Sequence, residues 1–164
     1  AIDEEGWFHT GDTGYISKGG YMYLTGRTKN MFKTSMGKFV NPEVIEEKFK
    51  ESAFILDMMV VGEGEKFAAA IIAPDFDMLK DWCVRHGVQA KTREEMVANP
   101  AVLARFQRVV DKYNDALGNY EQVKRFRLVT ETWGTDNQFL TPTLKIKRKN
   151  VTAFYQEAIK ELFK

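Results

Sequence analysis

A few residues in this chain have the chemistry to hold or polarise an anionic, hydroxyl-bearing ligand. Asp12 closes the dense segment Gly6-Trp7-Phe8-His9-Thr10-Gly11-Asp12. A carboxylate beside two glycines can accept a pair of hydrogen bonds from neighbouring hydroxyls, as in ribose recognition. Asp12 can equally start a turn, and on local chemistry alone that is the simpler role. Arg27 and Lys29 follow in Gly26-Arg27-Thr28-Lys29-Asn30. Arginine offers a planar fork to phosphate or ribose oxygens. Lys29 can pair with different carboxylates in different conformations, or simply be solvated. Gly37, before Lys38-Phe39-Val40-Asn41-Pro42-Glu43, would let a ligand pass close to the backbone; an ordinary turn accounts for the same residues. Lys145 sits in Leu140-Thr141-Pro142-Thr143-Leu144-Lys145-Ile146-Lys147-Arg148. There a point cation can stabilise charge on a phosphoryl or carboxylate oxygen, or belong to a basic, solvated helix entrance.

The composition narrows what these residues can serve. The 164 residues are 44% apolar and 13% aromatic, enough for a globular core rather than a disordered chain. A net charge of +1 gives no overall pull toward nucleic acid or anionic membrane. Basic residues do cluster locally, at Lys124-Arg125-Phe126-Arg127 and at Lys145-Ile146-Lys147-Arg148-Lys149. The lone Cys83 excludes an internal disulfide framework and a multi-cysteine zinc site, and fits a reducing compartment. The two histidines, His9 and His86, stand far apart, so no metal site is expected. No apolar run approaches the ~20 residues that span a bilayer. The chain opens on Ala1, only a few residues before the glycine-aromatic cluster, so a preceding body of chain is expected.

These residues need elements to position them. Residues 14–25 read as a hairpin with Lys18-Gly19-Gly20 at its turn, and residues 31–34 as a short strand. Asn41-Pro42 starts a helix that runs to about residue 52, with Ile45, Lys48, Phe49 and Ser52 along one side. Residues 58–61 and 67–73 are near-continuous apolar runs, read as paired strands with little exposure. Helices are predicted at about 76–86 with Gly87 past the end, at 93–98 with a Thr92/Glu95 capping box, and at 100–117 after Asn99-Pro100. A strand is expected at 125–129, an irregular stretch at 131–144, and a final amphipathic helix along Val151, Phe154, Tyr155, Ala158 and Leu162. Phe49, Phe67, Phe106, Phe126 and Phe154 read as core, and His86 as a cap at a helix end. The fold class is α+β: a small mixed or antiparallel sheet with packed helices, preceded by a β-hairpin. The boundary falls between residues 1–25 and 26–164.

In order, three of these motifs resemble the AMP-forming acyl- and aryl-CoA synthetases and their adenylating relatives. The 6–12 segment is similar to the one that closes their large N-terminal domain. Gly26 to Lys29, Gly37, Asn41-Pro42-Glu43 and Glu46 resemble the hinge and first helix of their small C-terminal domain. Residues 140–148 resemble the loop carrying their C-terminal lysine. The Thr-Pro-Thr-Leu-Lys form of that loop, and the extra helical stretch at about 75–120, look like the long-chain fatty acyl-CoA synthetases. Asn30 departs from the Asp that many relatives carry, and Leu144 from the Gly of shorter-chain relatives.

The resemblance implies a lid domain of a long-chain fatty acid:CoA ligase, inactive alone, with residues 1–25 left from the large domain. Fatty acid and ATP would give acyl-AMP and pyrophosphate; CoA would then displace AMP. It implies that Asp12 and Arg27 bind nucleotide, Lys29 is the hinge, Lys145 supports adenylation, and Lys33 and Gly37 face the CoA side. ATP/AMP and CoA are the implied ligands, with Mg2+ held outside this chain. The implied partner is the chain's own N-terminal domain, with no nucleic acid, and the implied location is cytoplasmic or peripheral at the inner membrane face. Two other readings are a lid that serves a carrier-protein-loading acyl-AMP ligase and a basic nucleic-acid or lipid-binding module.

Overall fold

The computed structural model describes residues 2–27 and 30–164. Near the start of the chain, the Asp3 carboxylate accepts hydrogen bonds from the Trp7 amide at 2.9 Å and the Glu5 amide at 3.1 Å. The antiparallel strands β1 (Asp12–Ile16) and β2 (Met22–Arg27) follow. This is the predicted hairpin, two residues longer at each end. Tyr15 and Tyr23 stack at 5.2 Å across it, yet Tyr15, Ile16, Tyr21, Met22 and Leu24 all remain exposed.

A second, minimal hairpin pairs β3 (Phe32–Lys33) with β4 (Phe39–Val40). The Thr34 amide donates to the Lys38 carbonyl at 2.9 Å, and Gly37 turns the chain at φ +79°. That left-handed backbone suits a residue without Cβ.

Helix α1 (Pro42–Phe49) begins at the Asn41-Pro42 signal, but the Asn41 side chain does not make the expected capping bond. It ends at Phe49 rather than near residue 52. Ile45 and Phe49 are fully buried as their spacing implied. Lys48 is only half-buried, and the buried polar residue of this helix is Glu46.

The main sheet has three strands. β5 (Ile55–Val61) runs antiparallel to β6 (Ala68–Pro74). Three helices then cross over: α2 (Phe76–Arg85), α3 (Arg93–Ala98) and α4 (Pro100–Asn114). They return the chain to β7 (Val123–Leu128), parallel to β6. The sheet is therefore mixed, in the order β5-β6-β7, and the predicted helical stretch is its crossover. The Thr92/Glu95 capping box is formed, and Asn99 caps α4 by accepting from the Ala101 amide at 2.9 Å. His86 sits at the C-terminal end of α2, where its Nδ1 meets the Trp82 carbonyl at 2.8 Å.

Every residue of β6 is buried, because helices and loops cover both of its faces. Ala68, Ala70 and Ile72 join a core with α1, α2 and α4 that contains Phe49, Leu79 and Phe106. Ala69, Ile71 and Ala73 face a second core with Trp133, Phe139, Val151 and Tyr155. The alternation follows from the two-residue period of a strand.

The C-terminal segment differs from the single predicted helix. It is broken into α5 (Arg148–Phe154) and α6 (Gln156–Leu162) at Tyr155. The Tyr155 hydroxyl donates to the Glu131 carboxylate at 2.8 Å. Val151, Tyr155 and Leu162 stay buried, but Phe154 is 60% exposed instead of in the core. It lies at the flank of the buried stripe, with only its edge against Phe139 and Tyr155.

Candidate functional site: the lysine loop and its anchor

Lys145 is presented by a closed loop. Leu140 and Ile146 pair as an isolated antiparallel bridge at its base. Thr141 closes it from within. Its amide donates to the Lys145 carbonyl at 2.8 Å, and its hydroxyl oxygen accepts from the Lys145 amide at 3.0 Å. Leu144, next to the lysine, has φ +58°. That left-handed conformation explains why glycine suits this position, and why leucine here carries a cost of roughly 1–2 kcal/mol. The backbone of Lys145 is thus fixed while its side chain is exposed. Its ammonium makes no hydrogen bond or ion pair among the described residues, whereas Lys147 is engaged with Gln138 at 2.7 Å.

The loop is tied to the rest of the fold by Arg148, at the start of α5. One guanidinium nitrogen of Arg148 lies 2.6 Å from both carboxylate oxygens of Glu46, and another donates to the Val60 carbonyl at 3.2 Å. The Val60 amide in turn donates to Glu46 at 2.7 Å. Helix α1, strand β5 and the lysine loop therefore meet at one buried carboxylate. Burial pushes the Glu46 carboxyl up to about 7, against the opposing pull of Arg148 and the Val60 amide.

These elements wall an open cleft of about 990 Å³. Lys145, Leu144, Arg148 and Glu46 line it, together with Asn30 and Glu43. Asn30 donates to the Glu43 carboxylate at 2.5 Å.

Among the described side chains, Asp12, Lys33 and Gly37 are not part of the cleft lining. Asp12 and Arg27 are direct register partners across β1 and β2, so the two residues assigned to nucleotide stand opposite one another. The Asp12 amide donates to the Thr10 hydroxyl oxygen at 3.1 Å. Lys29 lies outside the described residues. Lys33 and Gly37 are neighbours at the β3–β4 turn: a Cβ on Gly37 would stand 3.8 Å from the Lys33 side chain. The Lys33 ammonium lies 5.6 Å from the Phe39 ring. Among the described residues no group of three or more His, Cys, Asp or Glu is placed to hold a metal, and no helix is long and apolar enough to cross a membrane.

Sequence reasoning quoted Glu46 and Arg148 as parts of motifs but gave neither a role. They are 102 residues apart. The available signal was a carboxylate between apolar positions on the buried side of α1, next to Ile45 and Phe49.

This architecture is that of the small C-terminal domain of adenylate-forming enzymes. The adenylation domain of a carboxylate reductase from Mycobacterium chelonae superposes with a TM-score of 0.75 at 21% identity, over 99% of this chain and 24% of that one. The chain belongs to the family described as AMP-binding enzyme C-terminal domain, whose profile matches residues 30–164. Among curated proteins it is 34% identical to the peroxisomal long chain acyl-CoA synthetase 6 of Arabidopsis thaliana, over 99% of this chain and 24% of that protein. It is 33% identical to long-chain-fatty-acid–CoA ligase 5 of Mus musculus, again over 99% of this chain and 24% of that protein. The chain thus spans about a quarter of the length of these relatives.

Proposed function

We propose that this chain is the lid of a long-chain-fatty-acid–CoA ligase, in which Lys145 serves the adenylation half-reaction. The observation that carries this reading is the exposed Lys145 ammonium on a loop whose backbone is closed at both ends. Adenylation brings a fatty carboxylate against the α-phosphate of ATP. The two anions repel, and charge builds on the phosphoryl oxygens as pyrophosphate leaves. A fixed cation lowers that barrier without reorganising at the moment of reaction. The same lysine has little to do when the CoA thiol displaces AMP, so a lid that turns between two poses can serve both steps.

Asp12 then holds the ribose hydroxyls, and Arg27, its partner across the hairpin, adds a fork to the nucleotide. Lys29 is the hinge. Lys33 and Gly37 form the CoA-facing side in the second pose, where the bare Gly37 backbone leaves room beside the pantetheine arm. Residues 1–25 belong with the large domain and 26–164 with the lid. Strand β2 runs to Arg27 and the family profile begins at residue 30, which supports a boundary near these residues. Mg2+ accompanies ATP on the large domain, and the enzyme works in the cytoplasm or against the inner membrane face.

The reading is tested by reconstitution. The 164-residue chain is added to a separately expressed N-terminal body of the same ligase, and thioester formation from palmitate, ATP and CoA is followed. Restored turnover that saturates with added chain is expected. Binding without turnover, or no binding, would contradict a lid role.

A further inference from the structure

Among the described residues, Glu46 and Asp57 are the buried carboxylates. The Glu46 carboxylate is buried at 5% exposure, 102 residues from the arginine that neutralises it. A buried ion pair is a poor source of stability, because the desolvation cost consumes most of the Coulombic gain, and apolar residues of similar volume often serve as well. What such a pair does supply is direction. Arg148 reaches Glu46 and the Val60 carbonyl at once, and Glu46 also receives the Val60 amide. Helix α1, the end of β5 and the first residue of α5 are therefore locked in one relative placement.

The lock lies three residues beyond Lys145. The Leu140–Ile146 bridge pins the loop at its base, and the Lys147 amide donates to the Phe139 carbonyl at 2.8 Å. Those contacts lie within the loop's own segment and do not orient it against the sheet. Phe139, Leu140 and Ile146 pack the base of the loop into the second core beside Met59 of β5, and Arg148 adds the polar tie to α1 and β5, bonding Glu46 and the carbonyl of Val60, whose amide also donates to Glu46.

Resting on the adenylation role of Lys145, we propose that Glu46 is the positioning residue of the lysine loop. Through Arg148 it fixes where the Lys145 ammonium stands when the lid closes on ATP and the fatty carboxylate. It touches no substrate. Its effect falls on the step that uses Lys145, because the loop it holds through Arg148 is the one that carries that lysine. A small misplacement of a catalytic group is enough to cost rate.

The test uses the ligase that carries this chain, assayed in two halves: pyrophosphate exchange for acyl-AMP formation, and thioester formation from supplied palmitoyl-AMP and CoA. The variants are Glu46→Gln and the apolar double variant Glu46→Met/Arg148→Met, which keeps the volume filled. Acyl-AMP formation is expected to fall about tenfold or more in both, with the thioester step within about twofold of the parent. Equal loss in both halves, or no loss in either, while Lys145→Ala keeps its selective defect, would overturn the positioning role. Should Lys145→Ala itself lack that defect, the reading of Lys145 fails, and a second measurement decides the positioning claim. In amide spectra of the 164-residue chain, Glu46→Gln is expected to displace the Thr141, Leu144 and Lys145 resonances while those of α3 stay in place. Undisturbed loop resonances would overturn it.

Discussion

The Asn30 side-chain amide donates to the Glu43 carboxylate at 2.5 Å, tying the chain just ahead of β3 to the first turn of α1. An aspartate at position 30 would set two carboxylates at that distance. The Asn30→Asp variant is therefore expected to lose about 1 kcal/mol of stability at neutral pH, from the missing donor and the added repulsion. The double variant Asn30→Asp/Glu43→Gln restores an amide–carboxylate pair and is expected to recover most of it. Urea unfolding of the four proteins of this cycle measures the coupling, and additive losses would contradict it.

Leu144 sits at φ +58° beside Lys145. Glycine removes the left-handed penalty but adds chain entropy of about 0.5–1 kcal/mol, so Leu144→Gly is expected to match or exceed the parent in stability. A β-branched residue cannot adopt this backbone without strain. Leu144→Val is expected to fall below the parent by about 1 kcal/mol or more. Thermal melts rank the three; valine equal to glycine would rule out the strain.

The Glu46 carboxyl is held at about 7 in the folded chain, against an ordinary value of 4.5. The folded state therefore binds this proton more tightly than the unfolded state. The stability it adds is fully present below pH 4.5 and is lost as pH rises through about 7. Glu46→Gln cannot titrate, so its unfolding free energy is expected to gain on the parent between pH 4.5 and 8. Parallel pH profiles for the two proteins would contradict the burial effect.

Phe106 is fully buried on α4 and meets Phe54 edge to face at 6.3 Å. Phe106→Ala is expected to cost about 3–5 kcal/mol. Leu103, on the same helix but 39% exposed, is expected to cost clearly less on truncation. Comparable losses would mean that α4 packs against the sheet by another face.

Local signals carried much of the fold. The Thr92/Glu95 box, Asn99-Pro100 and the all-apolar β6 act within a few residues, and the structure follows them closely. Local signals fall short where distant contacts decide. The break at Tyr155 follows from packing against Glu131 and Trp133, some twenty residues upstream, and it leaves Phe154 outside a stripe that its spacing appeared to include. At the site, the motifs pointed to Lys145 as the residue of the loop. They could not show that Arg148 and Glu46 hold that loop, because the pair joins residues 102 apart and no local signal names the partner. The hairpin that places Asp12 opposite Arg27 was legible, but their pairing in register depends on a bulge between Thr13 and Gly14 that alternation alone does not reveal.

The most direct measurement is the effect of Lys145→Ala on the two half-reactions of the ligase carrying this chain. Acyl-AMP formation is expected to fall by about 10²–10³-fold, the scale for removing one fixed charge-stabilising group. Thioester formation from supplied acyl-AMP is expected to persist near the parent rate. Undiminished acyl-AMP formation would contradict the assignment of Lys145 and, with it, the account of this domain as an adenylation lid.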